Sequence, residues 1–179
     1  MIKKVKASLS EKILLIFLIS LGIFSFSFFF ITKNKCFFVK KIDLEKIQFR
    51  NSENIAVMNI DCGNVVIELF PDLSPNSVKR FKNLIEKGSY DSSAFYRVLK
   101  DTLIQAGDLE YGNINNINYF KVGSGKSGLG KLKSELNKEF EFKTGTVAFA
   151  RNNKLNTEDS EFFIILKDIP LFNGEFTPI

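Results

Sequence analysis

From Ile13 to Thr32 twenty consecutive residues, ILLIFLISLGIFSFSFFFIT, carry no charge, and this run limits what the chain can fold into more than any other stretch. As a helix it is about 30 Å long, the thickness of a bilayer's hydrocarbon core. A helix packed in a globular core rarely has every face apolar, because one side meets solvent. The rival reading is a cleaved signal peptide. No small-x-small site follows, however, and the run ends in Phe28-Phe29-Phe30-Ile31-Thr32 and Lys33. The sequence therefore divides into a basic tail (1–12), a transmembrane signal anchor in contact with the lipid bilayer (13–32), a juxtamembrane linker (33–54) and a folded domain (55–179). Lysines flank both ends of the span: Lys3, Lys4, Lys6 and Lys12 before it, and Lys33, Lys35, Lys40 and Lys41 after it. The positive-inside rule thus gives little contrast. A short basic N-terminus ahead of a first span usually stays in the cytoplasm, which places the domain on the exported side, periplasmic or lumenal.

The net charge of +5 invites a nucleic-acid reading, but its distribution opposes one. Residues 1–54 hold ten Lys/Arg against four Asp/Glu, whereas residues 55–179 hold fifteen against sixteen. The basicity belongs to the segment that meets anionic headgroups, and the domain has no basic stripe interleaved with aromatics. No nucleic-acid partner is expected. The chain contains no histidine, which removes His-based triads and most zinc sites. Cys36 and Cys62 are the two cysteines; one follows the span and one sits in a hairpin turn, so they read as free thiols rather than a disulfide framework.

Within the domain, Ala56–Ile60 and Val65–Phe70 read as strands around a turn in which Gly63 supplies a positive φ. Ser74 stands as N-cap and Pro75 as first residue of a helix whose apolar stripe is Val78, Phe81 and Ile85, with Leu84 adjoining and Gly88 closing it. Phe95–Leu99 and Leu103–Asp108 form a strand pair. Alternation sets Phe95, Arg97 and Leu99 on one face and Tyr96 on the other, with Leu103 and Gln105 sharing a face. Thr144–Arg151 and Ser160–Leu166 are two further apolar strands. Gly123-Ser124-Gly125-Lys126-Ser127-Gly128 satisfies G-x-G-x-x-G, yet Phe120 occupies the position where a phosphate loop needs glycine. Leu129-Gly130 also interrupts the helix that a dinucleotide fingerprint must open. The stretch reads as a mobile surface loop, with no nucleotide partner and no cofactor.

Taken together, these segments resemble one family. Phe-Tyr-Arg-Val-Leu (95–99) with Leu-Ile-Gln-Ala-Gly-Asp (103–108), then Gly-Thr-Val-Ala-Phe-Ala-Arg (145–151) and Ser-Glu-Phe-Phe-Ile (160–164) are similar to the core motifs of the cyclophilin-type peptidyl-prolyl isomerases. The Leu73–Leu84 helix and the glycine-rich loop fall in the same order. The resemblance implies a mainly β fold with few helices, an antiparallel eight-stranded barrel. The chain stops at Thr177-Pro178-Ile179, before the family's last helix and strand, so the barrel is expected to be incomplete at its C-terminus.

The same resemblance implies a chemistry without nucleophile or metal. Turning an X–Pro bond means crossing a barrier of about 20 kcal/mol set by amide resonance. A fixed donor aimed at the pyramidal nitrogen acts only in the transition state. By resemblance Arg97 is that donor, Gln105 holds the substrate backbone, and Phe163 floors the proline pocket with Leu103. Ala150 and Arg151 line the groove for a proline-containing, unfolded or extended polypeptide. Departures also stand out. Thr102 replaces an apolar wall residue, and Glu161 replaces a glutamine, placing an acid that can pair with Arg97 or Arg151. Leu171 replaces an aromatic, Phe176 replaces a polar-tipped ring beside Phe172, and Tyr96 replaces the histidine next to the arginine. The expected function is prolyl isomerisation assisting the folding of exported proteins. The alternative is a catalytically weak or inactive cyclophilin-like module that binds proline-containing segments or acts as a chaperone.

Overall fold

The computed structural model describes residues 8–33, 36, 39, 42–49 and 51–179. Lys3, Lys4 and Lys6 of the basic tail, and Lys35, Lys40 and Lys41 beyond the span, lie outside the described residues. Two compact units are present. The first holds the N-terminal helix and the hairpin tip Met58–Val65; the second holds Phe49–Val57 and Val66–Ile179.

In the first unit, α1 runs over Leu9–Lys33, 25 residues with none buried, or about 37 Å at 1.5 Å per residue. It is long and apolar enough to cross a bilayer, attributes that an N-terminal signal sequence shares. Two of its hydroxyls bond back into the helix: Ser20 Oγ donates to the Phe17 carbonyl at 2.8 Å and Thr32 Oγ1 to the Phe29 carbonyl at 3.0 Å. Cys36 and Cys62 form a disulfide with their Cα atoms 4.9 Å apart, correcting the expectation of free thiols. The pairing rests on the hairpin tip reaching the segment after the span, an approach that spacing along the chain does not encode.

β1 (Ile55–Ile60) and β2 (Gly63–Glu68) make a two-stranded sheet, with Gly63 at φ 148° in the connection. Pro75 opens α2 (Pro75–Glu86). Its buried stripe is Val78, Phe81 and Leu84, whereas Ile85 is exposed, so Leu84 takes the place the periodicity gave to Ile85. The helix closes in a Schellman motif: Ser89 N donates to Leu84 O at 2.9 Å, Gly88 N donates to Ile85 O at 2.8 Å, and Gly88 has φ 65°. Ser74 holds the N-cap position but does not cap; its buried hydroxyl donates to the Pro178 carbonyl. Glu135 caps instead, accepting from Asn76 N at 3.1 Å and Ser77 N at 2.9 Å. A carboxylate there also complements the helix dipole.

The remaining strands are β3 (Arg97–Leu99), β4 (Leu103–Ala106), β5 (Val147–Phe149), β6 (Phe162–Ile165) and β7 (Thr177–Pro178). They form an antiparallel sheet in the order β3-β4-β6-β5-β7. β3 and β7 are its edges, and no closed barrel is present among the described residues, consistent with an incomplete one. Directly opposed residues share a face, so the register gives the sheet two distinct sides. Phe162 and Phe149 turn toward α2, where the Phe81 ring lies 5.3 and 6.2 Å from theirs. The other face carries Leu103, Ala148, Phe163 and Ile165, buried with Phe142 and flanked by Phe140, Ala150, Phe172 and Phe176.

Candidate active site

One row of that second face runs straight across the sheet: Arg97 opposite Gln105, Gln105 opposite Phe163, Phe163 opposite Ala148. Pairing alone therefore brings a cation, an amide and a phenyl ring side by side. The row opens on a cavity of about 330 Å³. Nine of the eleven residues expected at the site line it: Arg97, Gln105 and Phe163, with Leu103, Ala150, Arg151, Glu161, Phe172 and Phe176. Thr102 and Leu171 do not. Thr102 is spent in the turn before β4, its Oγ1 donating to the Lys100 carbonyl at 3.1 Å, and Leu171 is 85% exposed on the Pro170–Phe172 turn of 3-10 helix. Position in a motif carries over where a residue sits in the chain but not where a turn points its side chain.

The apolar half of the cavity is a cluster of rings. Phe163 meets Phe176 edge-on at 5.1 Å and Phe172 at 5.9 Å, and Phe172 and Phe176 are 4.7 Å apart. Edge-to-face packing fixes each ring against its neighbours, which makes a rigid, greasy hollow. Arg151 sits at its rim with the guanidinium 5.0 Å from the Phe176 ring centroid. It donates to the Glu175 carbonyl and the Asn152 carbonyl, both at 3.0 Å, and reaches the Glu175 carboxylate at 3.5 Å.

The polar half is ordered by hydrogen bonds. Arg97 Nη1 donates to Gln105 Oε1 at 3.0 Å, and Arg97 has no carboxylate partner among the described residues. Gln105 Nε2 donates to Glu161 Oε2 at 2.9 Å and to the Tyr96 hydroxyl at 2.5 Å, and that hydroxyl in turn donates to Glu161 Oε2. Among the described residues Glu161 thus bonds to Gln105 and Tyr96 through Oε2 and pairs with neither Arg97 nor Arg151. Burial pushes the Glu161 carboxyl above the usual range, against the bonds from Tyr96 and Gln105 that lower it; the Asp108 charge raises it further. Burial also raises the Tyr96 hydroxyl, reinforced by its bond to Glu161, so it stays protonated and donating. Alternation placed Tyr96 on the far side of the strand. β3 begins only at Arg97, and outside the strand the two-residue period does not hold.

The glycine-rich segment supplies Gly123, Gly125 and Lys126 to the cavity, beside Asn152, Thr157 and Asp159. None of these was among the expected site residues. Buried Asp108 accepts from Glu110 N and Tyr111 N at one oxygen and from Gly123 N and Gly125 N at the other, at 2.7–3.0 Å. A Cβ on Gly125 would overlap that carboxylate, which is the reason for glycine there. Further along, Ser127 N and Oγ both donate to Asp159, which pairs with Arg80 at 3.1 Å, and Arg80 also donates to the Leu129 and Gly130 carbonyls. The one sequence signal for this anchoring was the Gly107-Asp108 step at the end of β4.

The family model described as cyclophilin type peptidyl-prolyl cis-trans isomerase/CLD matches residues 55–178, and the chain belongs to that family. Among its relatives, a probable peptidyl-prolyl cis-trans isomerase of Brucella suis is 38% identical over 128 residues, covering 71% of this chain and 65% of the relative. A peptidyl-prolyl cis-trans isomerase of Dictyostelium discoideum is 27% identical over 130 residues, covering 70% of this chain and 76% of the relative. The chain thus spans somewhat less than two thirds of the Brucella protein. Of solved structures, a cyclophilin type isomerase from Cryptosporidium parvum, crystallised in the presence of the dipeptide Ala-Pro, matches with TM-score 0.56 and 28% identity over 65% of this chain and 70% of that one. A cyclophilin from Hirschia baltica matches with TM-score 0.59 over 72% of this chain and 63% of that one; at 18% identity it bears on the fold alone.

Proposed function

We propose that the domain is a peptidyl-prolyl cis-trans isomerase that binds extended, proline-containing polypeptide and turns the X–Pro bond, assisting folding of exported proteins at a membrane. The observation that carries this reading is the adjacency of Arg97, held by Gln105 and free of any carboxylate among the described residues, to the Phe163–Phe172–Phe176 hollow. A proline ring fits an apolar hollow of this size. The guanidinium, permanently charged and forked, donates to the imide nitrogen once rotation makes it pyramidal and basic, and not before. That differential contact is what lowers a rotational barrier. Gln105 keeps the guanidinium aimed, and Arg151 stands where the rest of the substrate backbone enters. The relatives' names and the Ala-Pro dipeptide of the Cryptosporidium structure support the substrate class. The Cys36–Cys62 pair supports the exported side, because structural disulfides persist in oxidising compartments.

The test is cis-to-trans exchange of a proline tetrapeptide, followed by NMR exchange spectroscopy with the full chain in detergent. Arg97→Ala should lower kcat/KM by about 10²–10³, the usual cost of removing one transition-state donor, while leaving peptide binding within a few-fold. Equal rates for the two proteins count against catalysis through Arg97, and binding without exchange in the wild type favours a recognition module.

A further inference from the structure

The closed ring formed by Gln105, Tyr96 and Glu161 does something the isomerase reading alone does not require. A glutamine amide has two chemically opposite ends, one accepting and one donating. In this site Oε1 faces Arg97 at 3.0 Å and Nε2 faces Glu161 at 2.9 Å. An ionised carboxylate only accepts, so it holds the donating end toward itself and thereby turns the accepting end to the guanidinium. Tyr96 adds to the lock: its hydroxyl accepts from Nε2 and donates to the same Glu161 oxygen. A neutral amide in place of Glu161 satisfies Gln105 in either orientation, and the flipped one sets an NH2 against Arg97.

We propose that Glu161, acting with Tyr96, is a positioning residue that fixes the amide of Gln105 and through it the aim of Arg97, so that turnover depends on the charge of Glu161. The inference rests on the isomerase reading for its kinetic consequence but not for its geometry. Charged groups around the ring come from every neighbouring element: Arg97 from β3, Asp108 after β4, Lys126 from the glycine-rich segment, Arg151 after β5 and Asp159 before β6. Burial and Asp108 push the Glu161 carboxyl up, and Tyr96, Gln105 and Lys126 pull it down. When it takes a proton it becomes a donor as well as an acceptor, and the amide is released.

Two measurements test this on the full chain in detergent. In pH profiles of kcat/KM with a proline tetrapeptide, the wild type shows an acid limb above the ordinary glutamate range. Glu161→Gln loses that limb and runs about tenfold slower on the plateau. Tyr96→Phe keeps the limb but shifts it to higher pH, since a bond that lowers the carboxyl is gone; a merely structural role would not move it. In parallel, the Gln105 side-chain amide resonances should titrate with the same midpoint in the wild type and stay flat in Glu161→Gln. If Glu161→Gln keeps both rate and limb, or the Gln105 amide ignores pH in the wild type, the proposal is overturned. A wild type with no turnover but a titrating Gln105 amide would refute the isomerase reading and leave the amide lock standing.

Discussion

Asp108→Asn is a change of one atom type that should unfasten the cavity wall. The Asp108 carboxylate is 1% exposed and accepts four backbone N–H groups, two at each oxygen. An asparagine of the same shape keeps one accepting oxygen and presents an NH2 at the other, so two of the four N–H groups face a donor. Each buried group left unpaired costs about 1–3 kcal/mol; allowing for relaxation, the pair amounts to roughly 3 kcal/mol. Against a typical stability of about 5–15 kcal/mol, the variant still folds. Its melting temperature should fall by about 6–12 °C, at about 2–4 °C per kcal/mol for a chain of this size. All four tyrosines lie in the folded domain, at 90, 96, 111 and 119, and the chain has no tryptophan. Tyrosine fluorescence in urea therefore reports on the domain without interference from α1. Asp101→Asn, at an exposed turn residue with φ 52° that asparagine tolerates, serves as control and should be neutral. A loss below about 0.5 kcal/mol in Asp108→Asn would refute the claim that this carboxylate anchors the glycine-rich segment.

Glu135 supplies a pH-dependent stability of known sign. Burial raises its carboxyl, but the bonds from Ser77 and Asn76 outweigh it and leave the group below the ordinary carboxylate value. Its contribution is then present above the unfolded value and lost as pH falls through the folded one. Glu135→Ala should cost about 1 kcal/mol near neutral pH, after discounting for partial exposure, and nothing in acid; a constant difference across pH would show that the cap is not electrostatic. For the Cys36–Cys62 pair, protein taken directly from its membrane should react with maleimide at both cysteines only after reduction. Labelling without reductant would count against the exported side.

Much of the fold could be read from periodicity, and most of the site could not. The apolar run of α1, the Pro75 start and Gly88 stop of α2, and four of the five strands of the sheet follow from local spacing; the two-residue β7 does not. So does the row from Arg97 to Gln105 to Phe163, once antiparallel pairing is assumed. What escaped is of another kind. Glu135 caps a helix 58 residues before it, Asp108 ties down amides 15 and 17 residues after it, and Cys62 reaches back to Cys36. Ser74 turns its hydroxyl to Pro178, 104 residues away. Each is one side chain meeting a distant partner, and no repeat in the sequence records such a meeting. Tyr96 shows a smaller failure, in which a period is extended one residue past the place where the backbone keeps it.

These long-range bonds explain how a short sheet holds a site on its edge. β3 has three residues, all exposed, and forms one border of the sheet. An edge strand of that length has few contacts of its own to fix a guanidinium. The side chain is held instead from β4 by Gln105, which is held from the residue before β6 by Glu161, while the wall opposite is pinned by Asp108 from the end of β4. Rigidity at Arg97 is thus borrowed from the buried strands β4 and β6 rather than generated at the edge. The polar chain that lends it runs through a carboxylate whose surroundings favour the protonated form more than water does. Substitutions that leave β4 and β6 packed but break this chain should therefore weaken turnover more than stability, whereas removal of buried Phe163 should cost both.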